Sequence, residues 1–159
     1  MIGNLAWFAT IHPLILLGYV GLLAFFFAKV EIHIEGPHGW AEKLPTWRIE
    51  NHWLLRVLWG GRALTGYHAW MFSFMALFFL LPMFLSGRFT WPLLSRCVGS
   101  LLIFWTLEDF LWFVLNPAWG AYTFFRREVP WHRHYVLGLP HDYWIHLTVG
   151  TILLWLSFR

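Results

Sequence analysis

This sequence of 159 residues has little charge and almost no cysteine. Asp, Glu, Lys and Arg make up 12% of the chain, whereas hydrophobic residues make up 59%. So little charge excludes a disordered chain and an ordinary soluble domain, because both need polar surface to stay in solution. The single cysteine, Cys97, excludes a disulfide framework and any site built on paired cysteines. These exclusions favour an integral membrane protein.

The sequence also lacks the short motifs that identify common enzyme classes. It has no HExxH, no GxSxG and no phosphate-binding glycine loop. Its histidines form no regular HxxxH or HxxHH series, which counts against a membrane di-iron oxygenase. A net charge of +3 would favour nucleic acid as the partner of a soluble protein. In a membrane protein basic residues follow topology and lipid charge instead, so we expect no nucleic-acid binding.

Four apolar segments are long enough to be candidate transmembrane helices: residues 5–28, 63–85, 92–115 and 141–158. A helix needs about 20 residues to cross about 30 Å of hydrocarbon, so the last segment is the shortest candidate. We therefore predict an all-α membrane protein with four transmembrane helices, forming one integral membrane domain over residues 1–159. A signal peptide has basic residues before its apolar segment, whereas no Lys or Arg precedes the first span. We therefore expect this span to be retained.

The distribution of basic residues predicts the orientation of these spans. Eight of the eleven Lys and Arg residues lie in the loops after the first and third spans, and three lie on the opposite side. Cytoplasmic loops carry the excess of Lys and Arg. We therefore predict that these two long loops are cytoplasmic and that both termini lie outside, in a plasma-type membrane.

Ionisable residues fall inside the predicted spans, at His68, Glu108, Asp109 and His146. With a rise of about 1.5 Å per residue, all four lie roughly 8–10 Å from the cytoplasmic ends of their spans. An acid within the membrane costs about 2.5–3.5 kcal/mol, so such groups usually face the bundle interior and find partners. We predict that the four side chains meet at one level as a functional site. The alternative is a structural cluster that holds the helices together.

A further acid, Asp142, opens the last predicted span. Asp142 and His146 lie four positions apart, on one face of a helix. An Asp–His pair in that arrangement can orient an imidazole, act as an acid–base dyad or bind a metal. Capping of the last helix is an alternative role for Asp142, and it is compatible with the first.

The loop before this span contains two groups of candidate ligands. Guanidinium groups match phosphate oxygens, so its arginines are candidates for holding a phosphate-bearing head group or cofactor, with anionic lipid as the alternative. These arginines are Arg126, Arg127 and Arg133. Imidazole nitrogens bind divalent metals. The candidate ligands of that kind are His132, His134 and His141.

The first loop opens with a strict alternation of apolar and polar residues over positions 30–35. In a strand this pattern puts Glu31, His33 and Glu35 on one face, where they could bind a divalent metal. A solvated strand without a ligand and an extension of the first helix are the alternatives. Further along, residues 48–59 predict an amphipathic helix that lies in the membrane interface.

Three functions fit these predictions. The first is a membrane enzyme that acts on a lipid-like or isoprenoid substrate, with acid–base or metal chemistry at His68, Glu108, Asp109, Asp142 and His146. The second is a non-enzymatic accessory subunit of a larger membrane complex or homo-oligomer, in which His68 and His146 could be axial ligands of haem. The third is a carrier of protons or metal ions, against which the lack of polar residues at mid-membrane counts. A divalent metal is the first candidate cofactor and haem the second, and membrane lipids are the expected surroundings.

Overall fold

The chain folds mainly into helices. A computed structural model describes residues 11–55, 62–126, 129, 131–132 and 134–159 of it. The helices are α1 (Pro13–Glu35), α2 (Gly66–Ser86), α3 (Trp91–Leu115), α4 (Gly120–Phe125) and α5 (His141–Ser157). Two short antiparallel hairpins pair β1 (Arg48–Ile49) with β2 (Leu64–Thr65), and β3 (Tyr135–Val136) with β4 (Leu139–Pro140). The hairpins belong to the two long loops, before α2 and before α5.

Within these described ranges, three helices are long and apolar enough to cross a membrane: α1, α2 and α3, with mean hydropathies of 2.0, 1.9 and 1.6. The predicted segments 63–85 and 92–115 agree with α2 and α3 to within three residues. The segment 141–158 is helical as α5, but its 17 residues fall short of the roughly 20 that cross the hydrocarbon. A fourth span therefore stays a prediction.

Helix α1 starts and ends later than the predicted segment 5–28, of which residues 5–10 lie outside the described part of the chain. It begins at Pro13, whose missing N–H costs nothing in the first helical turn. It continues to Glu35 and ends at Gly36, where φ is 65°. The prediction of a strand over residues 30–35 is therefore wrong, and the alternative of an extended first helix is correct. Ala28 and Ile32 pack against α3 and α4 residues there, and this contact outweighs the alternating pattern.

The predicted amphipathic helix over residues 48–59 is also only partly helical. Arg48 and Ile49 form β1, a turn of helix covers residues 53–55, and residues 56–61 lie outside the described part. Contacts with other parts of the chain explain why residues 48–49 form a strand. β1 pairs with β2, and the Arg48 guanidinium donates hydrogen bonds to the carbonyl oxygens of Ala41 and Glu42. These bonds hold the strand against the preceding loop.

Helix α3 lies at the centre, where it packs against α1, α2 and α5. The closest approach is between α3 and α5, because a Cβ on Gly99 would lie 2.8 Å from the carbonyl oxygen of Gly150. Small residues allow this kind of close backbone packing between membrane helices. Helices α2 and α5 both pack mainly on α3 rather than on one another, which leaves a cleft between them.

The two long loops cover one end of this bundle. Asn116, directly after α3, donates from Nδ2 to the carbonyl oxygen of Gly36 at 2.9 Å. The Trp119 indole donates to the carbonyl oxygen of Pro37 at 3.0 Å. These bonds tie the loop after α1 to the loop after α3, and thereby place both loops over the end of the bundle that contains the polar residues.

Candidate functional site

A cavity of about 390 Å³ lies under these loops, between the last turns of α1 and α3 and the first turns of α2 and α5. Helix α2 lines it with His68, Phe72 and Ala76, which follow one another at intervals of four residues and share one helical face. The cavity occupies the cleft between α2 and α5, with α3 behind it.

Residues that the sequence analysis predicted as one site line this cavity together: His68, Glu108, Asp109, Asp142 and His146. They come from α2, α3 and α5, and the structure therefore brings together all five. Their roles in chemistry stay predictions. Adjacent positions on a helix point about 100° apart, so Glu108 and Asp109 have different partners.

Asp109 accepts two hydrogen bonds at one carboxylate oxygen. Its Oδ2 accepts hydrogen bonds from His132 Nε2, at 2.9 Å, and from the hydroxyl of Tyr143. The Arg62 guanidinium lies 3.1 Å from His132 Nδ1 and can only donate, so the ring proton of His132 is on Nε2. His132 is 4% exposed. It therefore serves as a buried hydrogen-bond bridge between Arg62 and Asp109 instead of the predicted metal ligand.

Arg62 connects this bridge to Asp142 and to an aromatic ring. Its Nη2 donates to Asp142 Oδ2 at 3.0 Å, and its guanidinium carbon lies 4.8 Å from the ring centroid of Trp40. The imidazole of His68 stacks on Trp40 as well, with 4.1 Å between ring centroids. Asp142 is therefore paired with Arg62, and Trp40 joins Arg62 and His68 at the cavity wall.

Two histidines offer ring nitrogens to the cavity. His68 Nδ1 lies 2.7 Å from the Thr65 hydroxyl, which also accepts from the His68 backbone N–H and so starts α2. Within the described part of the chain, His68 Nε2 has no hydrogen-bond partner, and neither ring nitrogen of His146 has one. Both residues line the cavity, so these nitrogens can exchange protons with a bound molecule.

Three glutamates form a second polar group at the cavity. The Tyr67 hydroxyl donates to Glu31 Oε1 at 2.9 Å, and the backbone N–H of Ala41 donates to Glu35 Oε1 at 2.5 Å. Glu108 contacts Glu31 through its side chain and is 3% exposed, yet its Oε1 has no hydrogen-bond partner among the described residues. Two carboxylates in contact need a shared proton or a cation between them.

The loop after α1 has an unusual backbone conformation that supplies a hydrogen bond to one of these glutamates. Trp40 and Ala41 both have positive φ, at 57° and 52°, a region that bulky residues seldom adopt. This turn aims the Ala41 N–H at Glu35 and leaves the Trp40 indole at the cavity. A left-handed backbone at two successive non-glycine residues costs free energy, and it is found mainly where the surroundings enforce it for function.

The predicted metal site in the first loop does not form. Residues two apart on a helix point about 200° apart, so His33 faces away from Glu31 and Glu35. His33 is exposed, and its Nδ1 lies 2.7 Å from the Lys29 carbonyl oxygen. No group of three or more His, Cys, Asp or Glu residues within the described ranges is arranged to hold a metal ion.

The other predicted ligands lie away from the cavity or outside the described residues. His134 and His141 are exposed and are joined through their backbones, from the His141 N–H to the His134 carbonyl oxygen at 2.9 Å. Arg126 is exposed at the end of α4, with its guanidinium 5.3 Å from the Tyr122 ring centroid. The predictions for Arg127 and Arg133 concern residues outside the described part.

The sequence analysis missed Arg62 and the tryptophans of the cavity, Trp40, Trp105, Trp112 and Trp131. Arg62 counted only as a basic residue that orients the membrane topology. The four-residue spacing of Glu31 and Glu35 could have indicated that both side chains face one site, because positions four apart share a face when the first helix continues. No local pattern marks the tryptophans among the 13 in the chain.

Comparisons of this chain with protein families, with curated proteins and with solved structures found no match. The functional interpretation therefore rests on the geometry of the cavity.

Proposed function

We propose that this chain is a small polytopic membrane protein that binds a lipid-like or isoprenoid amphiphile in its cavity and transfers protons at the polar end of that molecule. One observation carries the proposal: ionisable side chains of four helices line a single cavity that also has an apolar wall. Pockets of a few hundred Å³ with apolar walls and a few convergent polar groups are typical binding sites for small molecules.

The apolar wall suits the tail of an amphiphile. It consists of Phe72 and Ala76 on α2, and of Leu101, Leu102 and Trp105 on α3. These residues lie closer to the membrane centre than the ionisable groups. The cleft between α2 and α5 supplies a path by which a lipid tail can enter sideways from the bilayer.

The polar wall suits acid–base chemistry. His68 and His146 are the proposed proton donors and acceptors, because an imidazole can both donate and accept a proton and their ring nitrogens are available. We assign His132 as a positioning residue, which holds Asp109 on one side and Arg62 on the other. The preorganised network keeps the wall in place when a molecule binds.

The surface of α5 supports a fourth span. Its exposed side chains include Ile145, Val149, Ile152 and Leu156, which follow helical spacing along one stripe. Such a stripe suits contact with lipid tails. A helix of 17 residues is about 26 Å long, a few ångströms short of the hydrocarbon thickness, and a bilayer adapts to this by local thinning.

Cysteine labelling tests this topology in intact cells. In a Cys97→Ser background, Arg88→Cys and Lys43→Cys each place one exposed thiol in a loop on opposite predicted sides. A membrane-impermeant maleimide is expected to label residue 88 directly, and residue 43 only after permeabilisation. The reverse pattern would place the cavity at the outer face.

Deuterium incorporation tests the chemistry while the substrate is still unidentified. Purified protein is incubated in D₂O with a total membrane lipid extract, and mass spectrometry detects deuterated or newly formed lipids. We expect products with the wild type and with His141→Ala, whose histidine is exposed, and none with His146→Ala. Equal product formation by His146→Ala contradicts the proposed role. Binding without any product would make the protein a binding subunit instead.

A further inference from the structure

We infer that the molecule bound in the cavity carries a positive head group, an alkylammonium or quaternary ammonium, on an apolar tail. This inference rests on the proposed function and names the class of ligand. It departs from the phosphate-bearing head group that the loop arginines suggested.

The cavity has a large excess of acidic groups. Its lining residues include five carboxyl groups, those of Glu31, Glu35, Glu108, Asp109 and Asp142, and a single guanidinium, that of Arg62. Arg62 is already bound to Asp142 at 3.0 Å. An anionic head group would therefore meet four further acids, and only the Nε of Arg62 lacks a hydrogen-bond partner among the described residues, whereas a cationic head group would relieve the repulsion between the acids.

Glu108 is the acid best placed to meet a cation. It is 3% exposed, it lines the cavity, and its Oε1 has no hydrogen-bond partner among the described residues. A buried polar atom without a partner costs free energy, and more when it is charged. Contact with an ammonium group would remove this cost, and would also separate the charges of Glu108 and Glu31.

The aromatic residues of the wall point to the same class of ligand. Trp105, Trp112, Trp131 and Tyr143 line the cavity next to these acids. Ammonium groups bind over aromatic faces within about 6 Å of the ring centroid, most strongly over tryptophan, and sets of aromatic rings bind quaternary ammonium in many proteins. The negatively polarised faces of such rings do not attract a phosphate. Carboxylates and indoles together thus form the wall that an alkylammonium molecule requires.

Binding of three amphiphiles with the same tail tests this charge preference. Purified protein in a neutral maltoside detergent is titrated with dodecyltrimethylammonium, dodecyl phosphate or dodecanol, and native mass spectrometry counts the bound molecules. We expect the ammonium compound to bind at least about tenfold more tightly than either of the others, which corresponds to about 1.4 kcal/mol.

Matched variants assign the binding to the cavity. Ala76→Trp fills the cavity from α2 and is expected to abolish binding, while Leu77→Trp on the 64% exposed neighbouring position leaves it unchanged. Glu108→Gln keeps the size of the side chain and is expected to weaken the ammonium compound by about tenfold. Glu50→Gln, which changes an exposed acid outside this cavity, is expected to have no effect.

The outcomes separate this inference from the proposed function. If dodecyl phosphate or dodecanol binds as well as the ammonium compound, and Ala76→Trp prevents it, the cavity binds amphiphiles and the charge preference is wrong. If Glu108→Gln leaves the ammonium affinity unchanged, the role of Glu108 is wrong even when the preference holds. If no amphiphile binds in a manner that Ala76→Trp changes, the proposed function itself fails.

Discussion

Helix α3 carries a buried charged residue near each end, and its surroundings treat the two in different ways. Near the start, Arg96 is 4% exposed and its Nη2 donates to the Ser157 carbonyl oxygen at 2.7 Å. Near the end, Glu108 is 3% exposed and has an oxygen without a partner among the described residues. Arg96 thus supplies hydrogen bonds and positive charge to the C-terminus of α5, a stabilising arrangement. Glu108 lacks such compensation.

The cavities at the two ends of α3 also differ in their polarity. At the Arg96 end, a cavity of about 360 Å³ is lined almost entirely by apolar side chains of α1 and α2, together with Cys97 and Ser100. At the Glu108 end, the cavity is lined by acids, imidazoles and indoles. The comparison teaches that burial of a charge does not by itself mark a function. A charge whose partners are all present stabilises the fold, and a charge that lacks one beside a cavity is a candidate for binding.

The largest expected effect on stability comes from the close contact between α3 and α5. Gly99→Leu places a side chain where even a Cβ lies 2.8 Å from the Gly150 carbonyl oxygen, so α5 must move away from α3. We expect a loss of about 3 kcal/mol in the free energy of unfolding, measured by thermal unfolding in detergent. Gly21→Leu is the control, because a Cβ there meets nothing within 4 Å. Similar losses for both variants would show that the crossing of α3 and α5 is looser than described.

A substitution of Asp109 tests whether an acid with hydrogen-bond partners, at the cavity end of α3, stabilises the fold as Arg96 does. Asp109→Leu keeps a similar shape but leaves the donors of His132 and Tyr143 without an acceptor. We expect a loss of about 2–3 kcal/mol in the free energy of unfolding. An unchanged unfolding transition would mean that the Asp109 network does not stabilise the fold, and the contrast with Glu108 would then disappear.

Arg96 is expected to show a slightly smaller effect, confined to stability. Arg96→Met removes the bonds to Ser157 and should cost about 2 kcal/mol, seen as a lower midpoint of thermal unfolding. Arg159→Met is the control, because Arg159 is exposed and stacks on Trp155 alone among the described contacts. Binding of dodecyltrimethylammonium should be unchanged in both variants at a temperature where they are folded. A weaker affinity in Arg96→Met would couple the two ends.

Glu108 is expected to give the smallest change in stability, and one of opposite sign. Glu108→Gln replaces an ionisable acid by a neutral amide in the group that includes Glu31 and Glu35, and we expect a gain of about 1 kcal/mol in the free energy of unfolding without ligand. The same thermal unfolding experiment measures it. A loss comparable to that of Asp109→Leu would show that Glu108 is a structural residue, as the alternative of a polar cluster holds.

The common level of the polar residues along the helices could be predicted from the sequence, and so could most of the helices. The bounds of α2 and α3 follow from apolar runs flanked by turn residues, and position along a helix then sets the level at which a side chain lies. His68, Glu108, Asp109 and His146 consequently line one cavity. The end of α1 was mispredicted because an alternating pattern of six residues fits both a strand and the last turns of a helix that is apolar on most sides.

The partners of these residues could not be predicted, because they depend on contacts between distant parts of the chain. Arg62 and Asp142 are 80 positions apart, and His132 reaches Asp109 only because the loop before α5 folds back over the bundle. The amino-acid sequence alone determined which segments are apolar enough for a membrane, and how deep each ionisable group lies in them. Tertiary structure alone decided which of those groups are paired and which lack a partner, since helices with apolar residues on nearly every face do not encode which face meets a neighbour.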